Sequence, residues 1–283
     1  MNNRITIHIA CKDRPSELAL LLQSLRTQSL ENWDLLIVDD ASQIPLGQNE
    51  VLMKLINRVK LEKHKCKFIR NDVSLGVCQA RNICIENDKF NNMYTARLDD
   101  DSILEPFCLE KLYLGIVKLN YDLIGGTIPI CHSPYFERQN KYLKGFINEH
   151  KFNKKGDLIF NADECAYTYT KNDYLPTHQF RTYCVYKSKL NKIKYPKNLS
   201  KIGFREEGFF SMKAILKGYK LGICTGAIAN HIQSTSGGCR DPEYPKFVQS
   251  DDKIFRDWLK NKFEKHGDFL KEYKKKYTKQ VKK

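Results

Sequence analysis

Three consecutive carboxylates, Asp99-Asp100-Asp101, follow an apolar stretch of the sequence. Residues 93–98 are too few for a helix and include Tyr and Thr, so they predict a buried strand. Side chains at the carboxyl end of such a strand lie where ligands bind in open α/β sheets. Neighbouring carboxylates repel one another, whereas Mg²⁺ and Mn²⁺ bind carboxylate and phosphate oxygens. The triplet therefore predicts a site for a divalent metal and a nucleotide diphosphate.

The alternative is a solvated acidic turn in which Asp101 or Ser102 caps the next helix. A second acidic pair, Asp39-Asp40, bears on this choice because it follows another strand-like stretch, residues 33–38. Parallel strands end at a common edge of their sheet, so these acids should meet there. That convergence favours a binding site.

Strand-like and helix-like patterns alternate through the first hundred residues. An alternation of this kind predicts an α/β fold with a mainly parallel sheet, helices on both faces and right-handed crossovers. Leucines spaced by three and four residues after Pro15 predict the first helix. The predicted strands are 5–10, 33–38, 68–69 and 93–98, and helices are predicted after Pro15, at 51–59 and after Gly76.

The second half of the chain is harder to interpret. Further strands are predicted at 124–130, 183–186 and 221–224, and a helix at 109–117. Residues 203–210 lead into another predicted helix, which runs through Met212, Ile215 and Leu216 and stops at Gly218. Residues 132–182 are rich in Tyr and Phe without clear periodicity, and predict either an acceptor lid or irregular packing. Residues 251–277 predict an amphipathic helix. We therefore expect a catalytic domain at 1–250 and a C-terminal helix with a Lys-rich tail at 251–283.

Composition restricts the classes of protein. The chain has 283 residues, 41% hydrophobic and 29% charged, with ten scattered cysteines and no Cys-x-x-Cys pair. These values are typical of a globular protein with reduced cysteines. No stretch reaches the roughly 18 apolar residues of a membrane span. We expect a cytoplasmic protein, at most peripheral on a membrane surface.

The formal net charge of +15 is concentrated at the C-terminus, where residues 271–283 carry seven Lys against one Glu. This Lys-rich tail suits contact with anionic lipids or phosphorylated substrates, and we expect no nucleic-acid partner. The C-terminal helix could pack on the domain, dock on a membrane or form a homodimer. Packing is the default expectation, because Phe255 and Trp258 need burial.

Several motifs now occur in one order along residues 4–238. The first strand continues into Cys11-Lys12-Asp13-Arg14-Pro15, and the second ends in Asp39-Asp40-Ala41-Ser42. Gly76-Val77-Cys78-Gln79-Ala80-Arg81-Asn82 opens a helix, Asp99-Asp100-Asp101 follows a strand, and Phe204-Arg205-Glu206-Glu207 opens another helix. Together they resemble the family 2 glycosyltransferases. The resemblance implies the GT-A fold, a Rossmann-like α/β architecture with a mixed, mainly parallel sheet.

The resemblance also implies an activity and its residues. It implies a metal-dependent inverting glycosyltransferase that uses Mn²⁺ or Mg²⁺ and moves a sugar from a nucleotide-diphosphate donor, with UDP favoured. The acceptor would be a hydroxyl of a glycan, glycolipid, lipid-linked or protein-linked molecule. The implied base is Glu207, with Glu206 second, and the implied metal ligands are Asp99, Asp101 and His231. Nucleotide-sugar contacts are implied at Ala10, Cys11, Arg14, Asp39, Asp40, Arg81, Asp99 and Asp100.

Each of these residues has a simpler reading beside the functional one. Asp39 could order a turn, His231 could be an ordinary loop residue, and either glutamate could complement a helix dipole. Arg81 and Arg14 could contact phosphate or pair with the aspartates. The chain also departs from the family pattern, since Glu206-Glu207-Gly208-Phe209 replaces the usual Glu-Asp followed by a further acid, and Lys12-Asp13 replaces Tyr-Asn.

Two other functions compete. A sugar-phosphate nucleotidyltransferase would carry a glycine-rich basic loop after the first strand, and this chain has none there. A non-enzymatic basic module that binds polyanions or membranes would retain binding after loss of Asp99 and Asp101. A glycosyltransferase would instead lose donor binding in such variants.

Overall fold

The computed structural model describes residues 4–129, 147–155, 158–160, 174–238 and 240–280. The strands in these residues are β1 (Ile5–Cys11), β2 (Trp33–Asp39), β3 (Cys66–Arg70), β4 (Tyr94–Asp99), β5 (Ser102–Leu104), β6 (Leu123–Thr127), β7 (His150–Phe152), β8 (Leu158–Phe160), β9 (Tyr174–Pro176), β10 (Cys184–Lys187) and β11 (Leu221–His231). The helices are α1 (Pro15–Arg26), α2 (Glu50–Leu61), α3 (Val77–Asn87), α4 (Cys108–Leu119), α5 (Glu206–Leu216) and α6 (Tyr244–Gln280).

The main sheet confirms the predicted α/β architecture. Within the described residues its strand order is β3-β2-β1-β4-β10-β6-β11-β5, with β9 paired to β11. Strands β1 to β4 are parallel, and their register places Cys11 opposite Asp39 and Ala10 opposite Asp99. The predicted common edge for the acids therefore forms.

The second half of the sheet makes it mixed. Strand β10 runs antiparallel between β4 and β6, while β11 pairs parallel with β6. The antiparallel pair of β11 and β5 sets His231 opposite Ser102. This register brings the end of β11 beside the acidic triplet.

The helices of the first half cover the sheet through apolar faces. Helix α1 begins with Pro15, a residue suited to the first helical turn because it lacks an N–H. The four leucines at the predicted spacing, Leu18, Leu21, Leu22 and Leu25, are buried in the core. Helix α2 is capped by Asn49, whose side chain accepts a hydrogen bond from Leu52 N at 2.9 Å.

A close backbone approach fixes the start of α3. Gly76 has φ +82°, and a Cβ there would lie 2.6 Å from Lys201 Cα. Only glycine avoids both the left-handed strain and that contact. The loop before α5 is thus held directly against the start of α3.

Helix α6 packs on the domain, as expected. Phe255 and Leu259 are fully buried, and Leu270 and Tyr273 nearly so. Buried Asp251 accepts hydrogen bonds from the backbone N–H groups at positions 200 and 204, at 2.8 and 2.9 Å. Helix α6 therefore anchors the loop that leads into α5, in addition to covering apolar surface.

Several element boundaries differ from the prediction. Helix α6 begins at Tyr244, before the predicted start at 251, and has one non-helical residue, His266. Strand β11 continues beyond 224 to His231, so this histidine ends a strand and does not lie in a loop. The predicted acceptor lid at 132–182 falls largely outside the described residues. None of the helices in the described part of the chain is long and apolar enough to cross a membrane.

Candidate active site

The carboxyl ends of β1 and β4 and the start of α5 line one cleft, with a volume of about 290 Å³. This volume is close to the lower limit of small-molecule sites, roughly 300 Å³. The cleft lies at the sheet edge that the sequence predicted. Nine of the predicted site residues and both glutamates line it: Ala10, Cys11, Arg14, Asp40, Arg81, Asp99, Asp100, Asp101, His231, Glu206 and Glu207.

Arg14 relieves the repulsion within the acidic triplet. One of its guanidinium nitrogens donates to Asp100 at 3.0 Å and to Asp101 at 3.1 Å, and all three residues are buried. Burial raises the pKa of Asp100 to about 6, against the opposing effect of Arg14. Arg14 therefore supplies part of the positive charge that offsets the repulsion among the three carboxylates.

Asp101 also contacts the end of β11. His231 Nε2 lies 3.2 Å from Asp101 Oδ1, and Ile232 N donates to the Asp101 carbonyl at 2.9 Å. Burial alone would lower the pKa of His231, but the hydrogen bond to Asp101 raises it above its ordinary value. Two of the three predicted metal ligands, Asp101 and His231, are therefore in direct contact.

Asp99 connects the acidic triplet to α5 through two arginines. Arg81 pairs with Asp99, and Arg97 donates to it at 3.2 Å. The same arginines donate to Glu206 at 3.1 Å and 2.5 Å. Burial alone would raise the pKa of Asp99, but the two guanidinium groups lower it. This four-residue network fixes the distance between β4 and the start of α5.

The two glutamates differ in what they can do. Glu206 is buried and held by Arg81 and Arg97, and burial raises its pKa to about 7 against the effect of both guanidinium groups. The Glu207 side chain is 20% exposed and lies 3.6 Å from Arg97. Arg205 precedes them as the N-cap residue of α5, with a left-handed φ of +71°. Glu207 is the glutamate that a substrate can reach.

Asp39 and Asp40 are adjacent in sequence but lie in different environments. Asp39 is fully buried behind the cleft wall, where it accepts hydrogen bonds from Ser42 N and Leu46 N and pairs with Arg70. It orders the loop after β2, as the simpler reading proposed. Asp40 lines the cleft and accepts from the backbone N–H groups of residues 75 and 76.

Sequence reasoning missed Arg97 and part of the cleft wall. Arg97 is 2% exposed and points from β4 toward α5. The sequence did contain a signal for Arg97, a charged residue inside an apolar strand. A charged side chain is rarely buried without a partner of opposite charge. Other residues of the cleft wall that the sequence did not single out are Gln179, Arg181, Lys201 and Arg240.

The donor set fits a divalent metal that a phosphate ligand completes. Among the residues that the structure describes, no group of three or more His, Cys, Asp or Glu side chains is arranged to hold a metal by itself. Asp101 and His231 are in contact, and Asp99 is close enough to affect the pKa of His231. Mg²⁺ is usually held by one or two carboxylates together with substrate phosphates. A site of this kind would form only with the diphosphate present.

Comparisons with known proteins agree with this geometry. Residues 6–173, more than half of the chain, match the family described as Glycosyl transferase family 2. The chain is 28% identical over 134 residues to the bifunctional glycosyltransferase pgtA of Dictyostelium discoideum, a match that covers 47% of this chain and 16% of the relative. This chain therefore spans less than a fifth of that relative's length.

Solved structures with a similar fold include two glycosyltransferases. The structure of GalNAc-T7 with UDP, GalNAc and Mn²⁺ has a TM-score of 0.63 at 17% identity, covering 90% of this chain and 50% of that one. The structure of S. aureus TarS 1–349 in complex with UDP-GlcNAc has a TM-score of 0.57 at 12% identity, covering 92% and 73%. These similarities establish the GT-A fold.

Proposed function

Because the chain belongs to glycosyl transferase family 2, we propose that it transfers a sugar from a UDP-sugar to an acceptor hydroxyl with inversion and with a divalent metal. The observation that carries the proposal is the arrangement of the cleft. Asp101 and His231 lie in contact, and the partly exposed Glu207 lines the same cleft. The acceptor that we propose is a glycan or glycolipid.

Departure of the nucleotide diphosphate requires charge stabilisation. When bound, the metal would stabilise the negative charge that develops on the leaving diphosphate. Asp101 and His231 would hold it, with Asp99 as a further carboxylate. Similar structures that contain UDP, in one case with Mn²⁺, support this choice of donor and metal.

Attack by the acceptor requires a base on the opposite side. Glu207 is positioned to take the proton from the acceptor hydroxyl as that oxygen attacks the anomeric carbon, which inverts the configuration. Glu206 is a positioning residue. Its ion pairs with Arg81 and Arg97 hold the first turn of α5, which carries Glu207, against β4. The division of roles between the glutamates follows from their burial.

The proposal predicts nucleotide release from one class of donor. Purified protein is incubated with UDP-glucose, UDP-galactose, UDP-GlcNAc and UDP-GalNAc, each with Mn²⁺ or Mg²⁺, and free UDP is measured. We expect metal-dependent UDP release from at least one donor, with water or a monosaccharide glycoside as acceptor. Absence of UDP binding and release under every condition would contradict the proposed function.

The contact between His231 and Asp101 predicts a pH dependence of metal binding. A histidine must be neutral to bind a metal, and its pKa here is raised by Asp101. As the pH falls through this raised pKa, His231 gains a proton, so Mn²⁺-dependent UDP affinity should fall at a higher pH than for an ordinary histidine of pKa about 6.5. Calorimetric titration of UDP with Mn²⁺ at several pH values measures this effect.

The control for this experiment is His231→Asn, which keeps a polar side chain but does not titrate. It should bind UDP more weakly in Mn²⁺ and lose most of the pH dependence. An identical pH profile in the parent and in this variant would exclude His231 as a metal ligand.

A further inference from the structure

Gln179 is a buried polar residue in the wall of the cleft that the proposed mechanism does not use. It has no exposed surface, and it lines the same cleft as Glu206 and Glu207. Among the described residues, neither Oε1 nor Nε2 of its side chain has a hydrogen-bond partner. Buried amides are ordinarily satisfied, so this exception calls for an explanation.

The backbone of Gln179 is held firmly while its amide is not. Thr177 Oγ1 donates to the Gln179 carbonyl at 2.8 Å and accepts from Gln179 N at 3.1 Å. Asn148 Nδ2 donates to the same carbonyl at 3.0 Å. The backbone of the residue is therefore fixed, and the unpartnered polar atoms are those of the side-chain amide.

The amide lies against the first turn of α5. A Cβ on Gly208 would come within 2.8 Å of Gln179 Oε1 and 2.7 Å of a Phe255 ring carbon. Gly208 directly follows Glu207, so the amide contacts the helical turn that carries the proposed base. The absence of a side chain at position 208 leaves room for this contact.

The chemistry of an amide specifies what it can bind. It offers a donor and an acceptor side by side, which matches a sugar hydroxyl, itself both donor and acceptor. An unpartnered buried amide costs folding free energy, and a substrate that completes its hydrogen bonds removes that cost at the moment of binding. A purely apolar side chain would fold better there and bind a sugar less well.

We propose that Gln179 is a specificity residue whose side-chain amide binds one hydroxyl of a sugar in the cleft. The inference rests on the proposed function, because it requires a sugar substrate beside Glu207. The hydroxyl belongs either to the sugar of the UDP donor or to the acceptor. Both sources offer the same chemistry, and the binding experiment separates them.

The test compares the parent with Gln179→Leu, which removes both polar atoms at similar size. Affinities for UDP and for UDP-GlcNAc and UDP-glucose are measured with Mn²⁺, together with the KM of p-nitrophenyl monosaccharides as acceptors. If the donor sugar is bound, affinity for one UDP-sugar falls about tenfold while that for UDP is unchanged. If the Gln179 amide binds the acceptor instead, the donor affinities of the variant equal those of the parent and the KM of an acceptor rises about tenfold.

Thermal unfolding distinguishes this role from a structural one. Since the amide has no partner to lose, Gln179→Leu should unfold at the parental temperature or above it. The matched control is Gln28→Leu, remote from the cleft, where the side chain donates to Glu105 O at 2.9 Å and accepts from Leu109 N at 3.0 Å. This control should unfold at a lower temperature and keep parental donor affinity and KM.

Three results overturn the inference. If the parent protein binds UDP-sugars and releases UDP, and Gln179→Leu has the parental affinities and KM values, the inference fails and the proposed function stands. A parent protein that binds no UDP overturns the proposed function, and the inference with it. A lowered unfolding temperature with unchanged substrate parameters assigns Gln179 a structural role and also overturns it.

Discussion

Glu207→Gln is expected to retain UDP and UDP-sugar binding and to lose sugar transfer by about 10²- to 10⁴-fold, the usual contribution of a general base. Glutamine keeps the size and hydrogen-bonding capacity of the side chain but cannot accept the proton of the acceptor hydroxyl. The side chain is 20% exposed and makes one long contact, 3.6 Å to Arg97, so its loss should leave the fold intact. Steady-state transfer rates and calorimetric donor affinities measure the two effects separately.

The matched control for this prediction is Glu264→Gln, the same substitution at an exposed position of α6. It should transfer sugar at the parental rate. Glu206→Gln should behave differently from both, because it breaks buried pairs with Arg81 and Arg97 and should lower the unfolding temperature as well as the rate. Parental turnover by Glu207→Gln would show that this residue is not the base.

Asp101→Asn is expected to lose the metal-dependent part of UDP binding. The change removes the negative charge of the carboxylate that contacts His231, while it preserves side-chain size. Even residues that only orient metal ligands cost about 10- to 100-fold in metal affinity, so a direct ligand should cost at least about 100-fold. Titration of UDP in Mn²⁺ and in EDTA measures the metal-dependent difference.

In EDTA the variant and the parent should bind UDP equally weakly. This result would show that the variant has lost metal binding and that its nucleotide pocket is undamaged. Asp257→Asn, an exposed carboxylate on α6, is the control and should match the parent in both solutions. An Asp101→Asn protein with parental affinity in Mn²⁺ would rule out Asp101 as a metal ligand.

Local patterns were sufficient to predict the sheet edge. Strand β2 and strand β4 are short apolar runs that end in acids, and parallel strands joined by helices must end together. The position of Asp99 opposite Ala10 follows from that topology. The family motifs then assigned chemistry to this edge of the sheet. Every motif contributes residues to the cleft, and Asp39 is the one predicted site residue that does not line it.

Pairing within the cleft could not be predicted because it joins distant parts of the chain. Arg14 meets Asp101 across 87 positions, and Arg97 meets Glu206 across 109. Nothing local to either arginine specifies which acid it contacts. The same limit hid Gln179, whose amide is conspicuous only once the fold buries it beside Gly208 of α5.

Helix boundaries were wrong where tertiary contacts override local signals. The amphipathic pattern of α6 is clear only after residue 251, yet the helix begins at Tyr244. Its Asp251 is buried by accepting hydrogen bonds from the loop before α5, a use of an acid that a hydropathy pattern treats as solvent-exposed. The sequence therefore predicted the helices and the longer strands, but it missed the short strands β5, β7, β8 and β9, and it did not fix the ends of the elements.

The proposed mechanism requires Asp101 and His231 to hold a divalent metal against the donor diphosphate, in the cleft that Glu207 also lines. A crystal of the protein with Mn²⁺ and UDP, measured at the manganese absorption edge, tests it directly. We expect an anomalous peak within coordination distance of Asp101, His231 and the UDP phosphates. A crystal in which UDP is bound but the manganese peak is absent from this position, or lies elsewhere on the protein, would contradict it.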